Sequence, residues 1–264
     1  MIEKRKKVYH EVVKKARRVV IKVGSGILRP SFFPAFASEV ARLKKNGIEV
    51  VLVSSGAIAR GMALLKLKKR PRDIAGKQAV AAMGQPLLMR AYAEAFKKRS
   101  LKVAQLLLTR DDLEHANRFI NARHTLDELF GYGVVPIVNE NDSVAVEEIK
   151  VGDNDQLSAL VAHLSEADML IILTDTDGFH DKDPKRNAGA RRLSVVDSVG
   201  RKMFGMAKGT LTEKSTGGMI TKLKAARIAA GHGIPTWIVN GRNAKVLEEL
   251  FTGIDVGTLF LAKK

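Results

Sequence analysis

Two lysines at opposite ends of the chain stand in settings suited to phosphate chemistry. Lys22 belongs to Lys22-Val23-Gly24-Ser25-Gly26 at the end of an apolar run, where two glycines let phosphate oxygens approach the backbone and the lysine adds positive charge. Lys222 closes Ser215-Thr216-Gly217-Gly218-Met219-Ile220-Thr221-Lys222, a Gly-Gly turn with hydroxyls that opens an amphipathic helix and suits triphosphate oxygens. If they converge, the two ammonium groups neutralise a phosphoryl group as it moves between two anionic oxygens. A small-residue turn, Ser54-Ser55-Gly56-Ala57, offers further helix-initial amides. The common nucleotide signatures are missing. Arg29 stands where a dinucleotide fingerprint needs glycine, and no G-x-x-x-x-G-K-[ST] occurs. Thr174-Asp175-Thr176-Asp177-Gly178-Phe179 is not the D-F-G of a protein kinase.

A second group of residues is acidic. Asn139-Glu140-Asn141-Asp142-Ser143-Val144 and Lys150-Val151-Gly152-Asp153-Asn154-Asp155 bring carboxylates and amides together, and these are costly to bury without partners. An amino-bearing ligand would satisfy them, while Asp153 or Asp155 also suits a helix N-cap. The calcium-loop pattern D-x-[DN]-x-[DN]-G is absent. With no cysteine and six histidines outside any H-E-x-x-H spacing, thiolate nucleophiles and cysteine-held zinc are excluded. No metal-ligand set is legible, and any metal would be held by oxygen.

These residues need a scaffold. Short β-branched runs at 19–23, 50–53, 103–108, 134–138, 169–173 and 236–239 predict buried strands. Helix formers at helical spacing predict helices over 35–45, 74–98, 110–129, 155–164 and 219–230. The alternation points to an α/β fold with a mainly parallel sheet and helices on both faces, whose ligands sit beyond the carboxyl ends of the strands. No repeat, low-complexity stretch or linker divides the 264 residues, so one continuous domain over 1–264 is expected, with 1–17 as a basic N-terminal extension. No apolar run is long enough to span a bilayer and the start lacks a secretory pattern, so a cytoplasmic protein without membrane contact is expected. The formal charge of +17 favours anionic ligands or nucleic acid. Its main runs, residues 4–7 with Lys14, Lys15, Arg17 and Arg18, and Lys66, Lys68, Lys69, Arg70 and Arg72, read as solvated surface, with nucleic-acid contact as the lesser expectation.

Taken together, IKVGSGIL, VSSGAIARG, AAMGQ, LLLTRDDL, RFINARHTL, VPIVNENDSVAVEEIKVGDNDQLSALVA, LTDTDGF and TGGMITKLKAA resemble the glutamate 5-kinase family of the amino acid kinase superfamily, from about residue 22 to 260. The resemblance implies the three-layer amino acid kinase fold and magnesium-dependent transfer of phosphate from ATP to the side-chain carboxylate of L-glutamate, the first step of proline synthesis. A carboxylate is already ionised at neutral pH, so this chemistry requires no general base. Carried over motif by motif, Lys22 and Lys222 act on the moving phosphoryl group, and the amides of Gly24 and Gly56 line its path. Ser55, Asp142 and Asn154 hold glutamate, with Asp153 and Asp155 ordering that loop and facing the substrate ammonium. Thr174 and Asp175 bind nucleotide, as does the stretch Ser215, Thr216, Gly217, Gly218, Met219, Ile220 and Thr221. Asp175 is also expected to orient one of the two lysines through an ion pair. The resemblance further implies a homo-oligomer, dimer or tetramer, that proline inhibits, and the chain reads as the kinase domain without the C-terminal PUA domain of many relatives. Two departures stand out: Ser215 replaces a usual glycine, and 200–214 is unlike the common pattern, which bears on ATP binding. Alternatives are another acceptor within the superfamily, or a basic RNA-binding regulatory protein on the same fold.

Overall fold

The computed structural model describes residues 2–145, 154–184, 186–208 and 218–262, without the side chains of residues 2–7 and Lys208. Its centre is β1 (Arg18–Val23), buried from Val19 onward, which pairs in parallel with β2 (Glu49–Ser54) and β5 (Met169–Thr174). The sheet continues through β4 (Val135–Glu140) to β3 (Val103–Leu108) on one side. On the other it runs through β7 (Thr236–Asn240) and β8 (Thr258–Phe260) to β6 (Val195–Val196). The order is β3-β4-β2-β1-β5-β7-β8-β6, and β7 against β8 is the antiparallel step. Strand order reverses between β1 and β5, the place where open parallel sheets bind ligands at their carboxyl edge.

Side-chain alternation along β1 sends Val19, Ile21 and Val23 to one core and Val20 to the other, and Lys22 shares the face of Val20. The first core is covered by α1 (Ile2–Lys15), α2 (Phe32–Lys45), α4 (Ile74–Lys97) and α10 (Val246–Phe251). The second lies under α5 (Arg110–Glu114), α6 (Ala116–Gly131), α7 (Asn154–Leu164), α8 (Arg201–Lys208) and α9 (Met219–Gly231). The three-layer α/β architecture expected from the sequence is therefore present. A further helix, α3 (Ala57–Leu64), packs along α4.

The structure departs from the sequence expectations at particular places. The helix expected over 110–129 breaks at His115, whose ψ of 119° is extended, after a first turn closed by a reciprocal Thr109–Asp112 capping box. The start of the chain is not a mere extension: Tyr9, Val13 and Ala16 are buried. Tyr9 packs edge-on against Trp237 at 5.2 Å and donates to the Ser194 carbonyl at 2.8 Å. Arg18 is not solvated surface, for it pairs with Glu49 at 2.7 Å and lies 4.3 Å from the Phe130 ring centroid. Lys66, Lys68, Lys69, Arg70 and Arg72 are exposed, as are Lys14, Lys15 and Arg17, while the side chains of residues 4–7 lie outside the described ones.

The α3–α4 contact depends on glycine. A Cβ on Gly84 would run into the Ala57 carbonyl and stand 2.5 Å from the Gly61 amide, and one on Gly61 would run into the Val80 carbonyl. Neither backbone can yield as a side chain does. Gly84→Ala is expected to cost at least the upper part of the roughly 1–3 kcal/mol typical of overpacking, read as a lower urea midpoint with an unchanged slope.

Candidate active site

The C-terminal half of β1 delivers Lys22 to the switch point, opposite Val53 on β2 and Ile172 on β5. Its side chain cannot reach water freely, being only 5% exposed. Two helices on the same face approach it with their first turns. From α7 comes Asp155, fully buried, and from α9 come Thr221 and Lys222, the latter 6% exposed. Lys22 Nζ lies 2.6 Å from Asp155 Oδ1, and Lys222 Nζ lies 3.1 Å from Oδ2. Thr221 Oγ1 stands 2.8 Å from the same Oδ2 and 2.7 Å from the Gly218 carbonyl. One carboxylate thus fixes two ammonium groups that sequence position keeps far apart.

Burial alone would push the Asp155 carboxyl up, but the charges of Lys22 and then Lys222 outweigh it and hold the group well below the usual carboxylate range. One carboxylate brings two ammonium groups together at this point, a setting complementary to a phosphoryl group.

Asn154, one residue earlier, turns towards the end of the sheet. Its amide nitrogen lies 3.0 Å from the Ser54 carbonyl, 3.0 Å from Ser55 Oγ and 2.8 Å from Asn139 Oδ1. Asn139 in turn donates to Gln85 at 2.8 Å, and Gln85 donates to Gln105 at 2.9 Å. This chain of amides, anchored on α4 and on two strands, fixes the start of α7 relative to β2 and β4. Ser54 Oγ meets the Tyr92 hydroxyl at 2.9 Å on the opposite face, tying the same strand end to α4. Asp142 sits half-buried in the turn after β4, and the start of α4 holds that turn through Gln78, which donates to the Ala145 carbonyl at 3.1 Å.

Several expected residues meet here and others do not. Lys22, Lys222 and Thr221 meet on Asp155, and Ser55 meets the neighbouring Asn154. Asp175 does not orient either lysine: Arg242 Nη2 lies 3.6 Å from it and Thr174 Oγ1 lies 3.4 Å from it, and Asp155 does the orienting instead. The Gly24 amide does not face a ligand, because it donates to the Leu173 carbonyl at 3.2 Å and so extends the β1–β5 ladder. What Gly24 supplies is room, since a Cβ there would lie 3.3 Å from that carbonyl and 3.8 Å from Lys22 Nζ. Gly56 has φ of 111° and turns the chain into α3, and a side chain there would crowd Leu28 at 2.6 Å. Gly218 caps α9, on whose first turn Met219 and Ile220 are partly buried. Asp153, Ser215, Thr216 and Gly217 lie outside the described residues.

Sequence reasoning missed Asp155 as the shared partner, along with Asn139, Gln85, Tyr92 and Arg242. The signal for Asp155 was an acid in the first turn of an otherwise apolar helix, which an N-cap would explain equally well.

Among the described residues no group of three acidic or imidazole side chains is placed to hold a metal ion. No described helix is long and apolar enough to cross a membrane.

Comparison with known proteins identifies the family and the fold. The model of the "Amino acid kinase family" matches residues 17–240. A protein of Geobacter sulfurreducens named glutamate 5-kinase is 50% identical over 260 residues, covering 96% of this chain and 70% of that protein. One of the same name from Carboxydothermus hydrogenoformans is 46% identical over 262 residues, again 96% and 70%. Among solved structures, UMP kinase from Bacillus anthracis superposes with a TM-score of 0.65 at 18% identity, covering 94% of this chain and 97% of that one. Carbamate kinase from Giardia lamblia bound to AMP-PNP gives 0.65 at 18%, covering 94% and 99%. At that identity the two structures speak for the fold alone.

Proposed function

Because the chain belongs to the amino acid kinase family, with glutamate 5-kinases as its half-identical relatives, we propose that it transfers the terminal phosphoryl group of ATP to the side-chain carboxylate of L-glutamate. The product is L-glutamyl 5-phosphate, which opens proline synthesis. The observation that carries the reading is the pair of buried lysines held on Asp155 at the switch point of the sheet. Both reactants are anions, so attack brings like charges together, and fixed cations lower that barrier most where charge is most concentrated.

The remaining assignments follow the sequence motifs. Thr174, Asp175 and the start of α9 from Gly218 to Thr221 take the nucleotide, together with Ser215, Thr216 and Gly217. Ser55, Asp142 and Asn154 take glutamate, a role the sequence motif also gives Asp153, and Gly24 and Gly56 keep the phosphate path clear. Asp155 is a positioning residue for the two lysines. Magnesium, which neutralises the phosphates when bound, fits here as an ion carried by the nucleotide with one or two protein carboxylates, since both oxygens of Asp155 are engaged. The same reading makes the chain a single kinase domain acting in the cytoplasm, a homo-oligomer that proline inhibits. Light scattering and a proline titration of the activity check the last two.

The test is glutamate-dependent ADP release by the purified chain with Mg-ATP, run beside aspartate, acetylglutamate, UMP and carbamate. Release with glutamate alone supports the reading, and release with another acceptor alone replaces it. Asp142→Ala is expected to raise the glutamate KM about tenfold or more, the worth of one charge-assisted hydrogen bond, and to leave the ATP KM within about twofold. A changed ATP KM with an unchanged glutamate KM would exchange the two half-sites. The charge of +17 favours a second reading, RNA binding, which salt-sensitive RNA retention that survives Lys222→Ala would support.

A further inference from the structure

Behind the site, on the face of the sheet away from Lys22, a cavity of about 250 Å³ opens between α2 and the loop that joins β7 to α10. It is somewhat smaller than the roughly 300–1,000 Å³ of pockets that hold drug-sized ligands, which suits a small metabolite. Its walls are Phe32 and Phe36 from α2, Leu247 from α10 and Leu173 from the end of β5, an apolar lining. Two arginines, Arg29 and Arg242, stand at its polar side. Glu39 also lines it, and its carboxylate pairs with Arg42, which the Glu248 carboxylate shares at 2.7 Å, and accepts the Glu248 amide at 2.9 Å. Of the charged side chains that line the cavity, Arg29 and Arg242 are cations and Glu39 is an anion.

Among the described residues, Gly241 and Arg242 join the cavity to the nucleotide side of the site. Gly241 donates to the Thr174 carbonyl at 2.8 Å, and Arg242, which faces the cavity, reaches Asp175 at 3.6 Å. That pair is loose and half exposed on both partners, so a carboxylate in the cavity competes with Asp175 for Arg242 on nearly equal terms. Gly241 itself presses on the cavity wall, since a Cβ there would meet the Ile27 side chain.

We propose that this cavity binds a small organic carboxylate with an apolar body and that its occupation weakens nucleotide binding by drawing Arg242 away from Asp175. The apolar lining takes the body, Arg29 and Arg242 take the carboxylate, and the freed Asp175 leaves an unneutralised negative charge beside the triphosphate. By linkage, nucleotide weakens the carboxylate by the same factor. The coupling rests on the placement of nucleotide at Thr174 and Asp175, whereas the cavity as a binding site does not.

Hexanoate is a suitable probe, with hexanamide as its uncharged match, and calorimetry on the full chain reads binding without turnover. Hexanoate is expected to bind at least about tenfold more tightly than hexanamide and to raise the Kd for ATP about threefold or more, within the usual range of coupling between sites. Ala35→Phe, which fills the cavity, and Arg29→Ala, an exposed change that does not threaten folding, should each weaken hexanoate about tenfold and leave the Kd for ATP alone unchanged. Arg242→Ala should abolish the effect of hexanoate on ATP. Absence of saturable hexanoate binding, or equal binding by both Ala35→Phe and Arg29→Ala, would overturn the site, and binding with no effect on the Kd for ATP would overturn the coupling. Failure of the unsubstituted chain to bind ATP would count against the kinase reading, while saturable hexanoate binding blocked by Ala35→Phe would still support the cavity.

Discussion

Replacing Asp155 with alanine is expected to cost about 3–5 kcal/mol of folding stability, the usual penalty for removing one partner of a buried ion pair. Here the carboxylate serves two buried cations, Lys22 and Lys222. Asp155→Asn keeps the shape and loses the charge, so it should fold and still turn over about ten- to a hundredfold more slowly, as expected when a group that orients the reacting centre is removed. Urea unfolding and steady-state rates on the two variants separate the stability effect from the positioning effect. The sign of the pH effect follows from the lowered pKa of Asp155. A group depressed below its unfolded value of about 3.9 stabilises fully above that pH and loses its contribution as the solution becomes more acid. Stability from this cluster is therefore flat through neutrality and falls below about pH 4 in the parent chain but not in Asp155→Asn.

Lys222→Ala should show the converse pattern, with a fall of about a hundred- to a thousandfold in kcat, the cost of deleting one preorganised donor at a site of developing charge. The KM values should move little, because the ammonium acts most strongly where the phosphoryl charge is in flight. Stability should suffer less than in Asp155→Ala, for Asp155 keeps Lys22 at 2.6 Å. Lys222→Arg is not expected to restore activity. The planar guanidinium cannot occupy a position 6% exposed and shaped for a point charge on a slim stem. Single-turnover measurements with saturating ATP and glutamate decide this, and an unchanged rate would remove Lys222 from the chemistry.

Much of the fold was legible because the central strands β1, β2, β4, β5 and β7 are buried on both faces and so read as short apolar runs, and the half-buried β3 keeps enough apolar residues to be read with them. The expected 103–108 coincides with β3, and 169–173 falls one residue short of β5. What escaped notice was short or carried by tertiary contact. The two residues of β6 and three of β8 are too few to leave a period in sequence, and α1 is strongly basic, so its buried Tyr9 and Val13 were masked by the charge around them. In the site, types and loops were readable but pairings were not. Lys22 and Lys222 each announced a phosphate setting locally, whereas their meeting on Asp155 depends on strand order and on how α7 and α9 lean together. Asp175 looked like the natural lysine partner because it follows a strand at the right edge of the sheet. The structure gives it to Arg242, a residue with no local pattern to mark it.

Trapping the product with hydroxylamine tests phosphoryl transfer to a carboxylate most directly. Incubation of the chain with Mg-ATP, L-glutamate and hydroxylamine should yield glutamyl hydroxamate in step with ADP, with none from aspartate or acetylglutamate and very little from Lys222→Ala. ADP release that is independent of glutamate, or stoichiometric ADP with no hydroxamate from any acceptor, would contradict it.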